Sequence, residues 1–152
     1  VLDTNVVLDW LIFRDARVQK LVAAIEAGAI SLVTRADCRD ELLRVLDYPQ
    51  VQRHPQARAQ ALDIYDRCFE IVDLPARPAI LPRCRDADDQ KFLELARDAQ
   101  AHWLITKDRA LLELAWRMQQ ACTVEVLDPA QASARLGPLY NAPVLAPGSP
   151  HA

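Results

Sequence analysis

Five carboxylates lie where an α/β protein would gather them. Asp3 follows the apolar Val1-Leu2, Asp108 follows the β-rich Trp103–Thr106, and Asp86, Asp88 and Asp89 open an amphipathic segment in between. Ligand sites in open α/β sheets lie beyond the carboxyl ends of the strands, where loops enter helices, so these acids are candidates for one site. Each also has a structural alternative. Asp3 could form an Asx-turn or cap for Val6–Phe13, and Asp108 could cap Arg109–Gln119. Asp86 and Asp89 are spaced as a cap and its N3 partner in a capping box. Asp89 also lies three residues before Phe92 and seven before Ala96, on the apolar side of its helix, where a solvated charge would be out of place. We expect it to point towards the sheet edge. Glu41 borders the stripe Cys38-Leu42-Val45 and shares a face with Asp37. Spacing alone does not select Glu41, because most helical acids in such a position are solvated.

If Asp3, Glu41, Asp89 and Asp108 converge, their charges repel and their pKa values rise unless something positive sits among them. A divalent ion resolves the conflict. Hard oxygen donors suit Mg²⁺ or Mn²⁺ rather than zinc or copper, and the chain has no His-x-x-x-His or paired His–Cys set. His102 reads as a strand-start residue, and His54 and His151 as exposed. Arg14, Lys91, Lys107 and Arg109 lie near the expected mouth and could hold substrate phosphates, with Trp10 stacking on an unpaired base. The plainer alternative is solvated cations and a core tryptophan. With 3 glycines there is no phosphate-cradling loop, and neither a dinucleotide fingerprint nor a Gly-x-Ser-x-Gly elbow is present.

These residues need a scaffold, and the pattern supplies an alternating string. Val1–Leu2, Ile30–Thr34, Ile71–Leu74, Trp103–Thr106 and Thr123–Leu127 read as strands. Val6–Phe13, Ala16–Ala27, Ala36–Leu46, Gln56–Phe69, Asp88–Ala99 and Arg109–Gln119 read as helices. Gly28 is a C-terminal stop and Pro49 closes the third helix. Pro75, Pro78 and Pro82 make an extended connector. Strands alternating with helices imply a mostly parallel sheet covered on both faces: a three-layer α/β/α, Rossmann-like fold. The boundaries are 1–136 for the folded domain and 137–152 for a Pro/Gly-rich tail in which Leu139, Tyr140, Val144 and Leu145 could pack.

Composition sets outer limits. A chain of 152 residues, 51% hydrophobic and 26% charged, suits one domain with a sizeable core. The 21 acids against 18 bases give a net charge of −3, which argues against a large basic nucleic-acid surface but not against a nuclease with a local basic rim. No apolar run approaches the roughly 20 residues that span a bilayer. The chain opens on Val1-Leu2 without an initiator Met, so we expect a residue or two to precede it, and no signal peptide. Cys38, Cys68, Cys84 and Cys122 are scattered without a Cys-x-x-Cys, favouring reduced thiols in a cytoplasm over a zinc ribbon or disulfide framework.

Four segments together resemble a PIN-domain protein: Val1-Leu2-Asp3-Thr4-Asn5-Val6-Val7, Arg39–Leu46, Cys84–Leu93 and Leu104-Ile105-Thr106-Lys107-Asp108. The Cys-Arg-Asp-x-Asp-Asp-x-Lys-Phe-Leu run is similar to a bacterial branch described as toxin components of toxin–antitoxin systems. The resemblance implies metal-dependent endoribonuclease activity on single-stranded RNA, with a small antitoxin as partner. Asp3, Glu41, Asp89 and Asp108 match the four acids, and Thr4, Asn5 and Thr106 the polar residues that support them. Asp86 is the expected helper of Asp89. Counting back from Asp108 as in toxin-type relatives lands near Gln90, whereas the Asp-Asp-x-Lys-Phe pattern points to Asp89, which we choose. Exposed apolar residues make a homodimer an expectation as well. Two other readings remain: a non-catalytic PIN-like module that binds nucleic acid or protein, and a Mg²⁺-dependent phosphohydrolase with Asp3 as nucleophile. The latter's usual Asp-x-Asp is missing, because position 5 is Asn.

Overall fold

The computed structural model describes residues 1–138. The expected tail residues Leu139, Tyr140, Val144 and Leu145, and His151, lie outside these. Strands β1 (Leu32–Thr34) and β2 (Phe69–Ile71) pair in parallel with Val33 opposite Glu70. Strands β3 (Trp103–Ile105) and β4 (Glu125–Leu127) do the same with Leu104 opposite Val126. The amino-terminal segment joins beside β3 through a parallel bridge between Leu2 and Ile105. There the Asp3 N–H donates to the Ile105 carbonyl at 2.9 Å. Parallel pairs need long crossovers, and helices supply them.

Successive strand residues feed opposite faces, as the two-residue period requires. Leu2, Ile105 and Leu127 join Val6, Leu21, Leu42 and Tyr65 in one buried cluster. Val1, Leu104 and Val126 join Phe92, Leu93, Leu111 and Met118 in another. The mixed α/β, parallel-stranded architecture is therefore the expected one, with apolar layers on both sides of the strands.

Several boundaries differ from expectation. The first helix begins at Thr4, not Val6: α1 (Thr4–Leu8) runs on into a π-helical turn over Asp9–Phe13. The segment from Ala16 opens as a 3₁₀ turn (Ala16–Val18) and continues as α2 (Gln19–Glu26). Gly28, at φ 73°, ends it. The Gly28 N–H donates to the Ile25 carbonyl and the Ala29 N–H to that of Ala24, a Schellman pair that needs the left-handed backbone. Helix α3 (Ala36–Val45) falls where expected. Pro49 does not stop the chain but opens a short helix, α4 (Pro49–Gln52), because the first turn has no use for its missing N–H.

Helix α5 (Pro55–Cys68) passes directly into β2, so Phe69 is a strand residue and the strand lies two residues earlier than expected. Tertiary contact decides this: Phe69 pairs with Leu32 and stacks on Tyr65 with ring centroids 4.1 Å apart. Beyond the connector come a 3₁₀ turn (Ala87–Asp89) and α6 (Gln90–Asp98). The expected single helix Arg109–Gln119 is two, α7 (Arg109–Leu112) and α8 (Ala115–Cys122). The break at Glu113-Leu114 keeps Leu111, Leu114 and Met118 in one cluster, so the apolar period continues across it and hides it. Helix α9 (Pro129–Arg135) was not expected. Pro129 reads as a breaker, yet Asp128 and Gln131 form a capping box around it, with bonds of 2.8 and 2.9 Å.

Candidate active site: carboxylates at the strand ends

Asp3 follows the bridge at Leu2 and stands at the N-cap position of α1, but its side chain makes no capping bond. It is 4% exposed, and its Oδ2 accepts from the Thr106 hydroxyl at 2.6 Å and from the Asn5 amide at 2.9 Å. The Thr106 Oγ1 in turn accepts from the Asp108 N–H at 2.9 Å, and the Asn5 Oδ1 from the Lys107 N–H at 3.3 Å. Residues a hundred positions apart are thus locked into one polar network at the ends of two neighbouring strands. Thr4 is buried beside it as the first residue of α1.

Asp108 does cap its helix: its Oδ1 accepts from the N–H groups of Ala110 and Leu111 at 2.7 and 3.2 Å. Capping uses that one oxygen, so capping and a second role are compatible. Asp86 caps the 3₁₀ turn by accepting from the Asp88 N–H at 2.9 Å. The expected capping box does not form, because a 3₁₀ turn intervenes before α6 and Asp89 makes no side-chain capping bond. Gln90 serves the scaffold instead. Its Oε1 accepts from the Cys84 N–H at 2.7 Å and its amide donates to the Pro82 carbonyl at 3.2 Å, pinning the connector.

Electrostatics shows which acids come together. Burial pushes Asp3 up to about 6, with Glu41 and Asp108 adding repulsion and the Thr106 hydroxyl opposing it. Burial and the fields of Asp3, Asp86, Asp108 and Glu41 push Asp89 up to about 7. Shifts of this cause mark acids crowded at one place. Asp3 thus feels the charges of Glu41 and Asp108, and Asp89 those of Asp3, Asp86, Asp108 and Glu41. Asp37 does not join them; it is paired with Arg35 at 2.7 Å.

The basic residues are placed differently from one another. Lys91 pairs with Glu41, and both side chains are largely buried. Burial works against its charge, but Glu41 more than offsets it and holds the ammonium above the ordinary lysine range. Lys107 pairs with Asp9 at 2.6 Å. Arg109 is exposed beside Asp108 and forms no ion pair among the described residues. Arg14, left-handed at φ 51°, lines a groove with Trp10, Leu11, Val18, Val22 and Ile64, a groove that none of the four acids lines. Trp10 packs against the core with its ring 6.2 Å from that of Phe69. His54 and His102 are exposed, and the four cysteines are unpaired.

Two features escaped the sequence. Asp9 is 5% exposed at the start of the π-helical turn, and its Oδ2 lacks a well-directed hydrogen bond although the Lys107 ammonium faces it. An acid one helical turn after Asn5 in an otherwise apolar run was the available signal. The Glu41–Lys91 pair joins two helices distant in sequence, and no local pattern announces it.

Among the described residues, no three His, Cys, Asp or Glu side chains already sit closely enough to chelate an ion. The donor set nonetheless suits a hard divalent cation: carboxylates without histidine, two of them driven towards protonation by burial and by one another. A parallel α/β core with acids at its strand ends is the architecture of the class, mixed α/β with parallel strands, to which the chain belongs. The family model for the PIN domain matches residues 1–110, and the chain belongs to that family. PIN domains are typically nucleases and generally use divalent metal ions. No curated protein and no solved structure matches the chain. No helix among the described residues is long and apolar enough to cross a membrane.

Proposed function

We propose that the protein is a Mg²⁺- or Mn²⁺-dependent endoribonuclease that cuts single-stranded RNA, working in the cytoplasm as the toxin of a toxin–antitoxin pair. Asp3, Glu41, Asp89 and Asp108 form the acidic site, supported by Thr4, Asn5, Asp86 and Thr106. The observation that carries the reading is the state of Asp3. A buried carboxylate at a helix start that is oriented by Thr106 and Asn5, and not spent on capping, is held for another purpose. A divalent ion bound there would activate water for in-line attack and offset charge developing on the scissile phosphate.

The chain's own residues prepare the site. Thr106 and Asn5 hold Oδ2 of Asp3, which leaves Oδ1 for a ligand. Asp108 keeps its second oxygen outside the cap. Arg109 is an exposed cation beside Asp108 and suits a substrate phosphate, whereas Lys91 and Lys107 are engaged by carboxylates. The choice of RNA and the antitoxin rest on the resemblance to toxin-type relatives, and a homodimer rests on exposed apolar residues such as Ile80 and Trp116.

The test is cleavage of a fluorophore-labelled single-stranded RNA by the wild type, Asp3→Asn and Asp108→Asn, with Mn²⁺ and with EDTA. The proposal expects Mn²⁺-dependent cutting that both substitutions remove. Equal cutting by all three proteins would assign the activity to a contaminant. RNA binding without cutting would favour the non-catalytic PIN module.

A further inference from the structure

The acidic site carries its own cation. Lys91 stands in the first turn of α6, two residues after Asp89, and its ammonium pairs with Glu41 Oε2 from α3. It also donates to the Asp88 carbonyl at 2.5 Å. The two side chains are 13% and 15% exposed, whereas the pair Arg58–Asp47 is 41% and 68% exposed. An ammonium withdrawn from water to this degree is kept only against a matched anion, and the anion left behind on its removal would be costly. Lys91 is therefore a fixed part of the site, unlike a mobile surface lysine.

Its placement divides the acids. Asp3 is oriented by Thr106 and Asn5, Asp108 is anchored by the cap of α7, and Asp89 makes no capping bond. Glu41 alone of the four is bound to a cation. We propose that Lys91 supplies from within the chain the positive charge that a second divalent ion would bring, so that the site takes a single ion served by Asp3, Asp89 and Asp108. Glu41 is reserved for Lys91. A second divalent ion using Glu41 would have to approach the ammonium, and at such range like charges repel strongly in a partly buried site. This inference rests on the metal-dependent reading above and adds the number of ions and the role of Lys91.

The experiment is a Mn²⁺ titration of the full chain, followed by calorimetry and by the electron paramagnetic signal of free Mn²⁺. It uses the wild type, Lys91→Arg, Lys91→Met, Lys91→Met/Glu41→Gln and Asp3→Asn, with circular dichroism checking each fold. One ion per chain is expected in the wild type and in Lys91→Arg, and a second, weaker one in Lys91→Met, where Glu41 is released. Adding Glu41→Gln to Lys91→Met should remove that second ion, because Glu41 is what binds it, and the double variant leaves no unpaired buried charge. Two ions in the wild type overturn the inference, whether or not Lys91→Met folds. So does a single, unaltered site in Lys91→Met, or a second ion that persists in Lys91→Met/Glu41→Gln, and either leaves the nuclease reading standing. No saturable binding in the wild type, with Asp3→Asn indistinguishable from it, removes the metal-dependent reading and this inference together.

Discussion

Asp3 and Asp89 are held above the ordinary 3.8 of an unfolded aspartate, at about 6 and about 7. The folded chain therefore binds these protons more tightly than the unfolded one. Their contribution to stability is fully present below 3.8 and is lost as pH rises through about 6 and about 7. Asp89→Asn removes that titration. Without divalent ions the variant should match the wild type near pH 4 and melt above it at pH 8. Asp89 is only half-buried, so solvent screening limits the gain to about 1 kcal/mol, or about 2–4 °C in Tm. Superimposable Tm curves across pH would mean that Asp89 does not feel the other acids. Added Mn²⁺ should raise the Tm of the wild type and much less that of Asp89→Asn, because an ion that binds the native state stabilises it. Asp3→Asn should lower RNA cleavage by on the order of 10²–10³-fold or more, the range for losing one well-placed electrostatic group, with a folded circular dichroism spectrum.

At the level of elements, α7 ties fold to chemistry through one side chain. Asp108 Oδ1 caps the helix while the carboxylate faces the acid cluster. Asp108→Asn keeps a cap oxygen and loses the charge; Asp108→Ala loses both. Chemical denaturation should therefore show Asp108→Ala less stable by about 1 kcal/mol and Asp108→Asn close to the wild type. Both should be inactive on RNA. If the two variants were equally stable, the cap would contribute nothing and the carboxylate would be held by the chain alone. Helix α6 has a corresponding lock in Gln90, which pins the connector at Cys84 and Pro82. Gln90→Ala should cost about 1–2 kcal/mol, since it strands a part-buried N–H and a carbonyl. It should also raise hydrogen exchange in the connector.

The same elements show what the sequence could and could not reveal. The alternation of strands with helices was legible because apolar period and turn chemistry are local, and so was the placement of Asp3 and Asp108 at strand ends. The break between α7 and α8 was not, because the apolar stripe of Leu111, Leu114 and Met118 runs through it. Helices α4 and α9 were hidden by Pro49 and Pro129, whose role at a first turn looks locally like a stop. Glu41 was reached by resemblance alone, and its pairing with Lys91 depends on how α3 packs on α6.

Across the whole molecule the balance of charge limits how RNA is held. The net charge is −3, and many cations are already committed: Arg35 to Asp37 and Glu94, Arg39 to Asp66, Lys91 to Glu41 and Lys107 to Asp9. Residues 139–152 contain no Lys or Arg. Arg109 beside Asp108 is among the cations left to meet phosphates. Each phosphate neutralised on a single strand contributes a slope of about −0.7 to the dependence of log affinity on log salt. Two contacts give a slope of about −1.4, so kcat/KM for a single-stranded RNA should fall only about sevenfold between 50 and 200 mM KCl. Arg109→Ala should flatten that slope by about 0.7 and raise KM more than it lowers kcat, since a contact to a phosphate other than the scissile one acts through binding. A fall of about 10³-fold or more over the same range would require an extended cationic surface. Neither this fold nor this sequence provides one in a single chain, and the missing charge would then have to come from a partner.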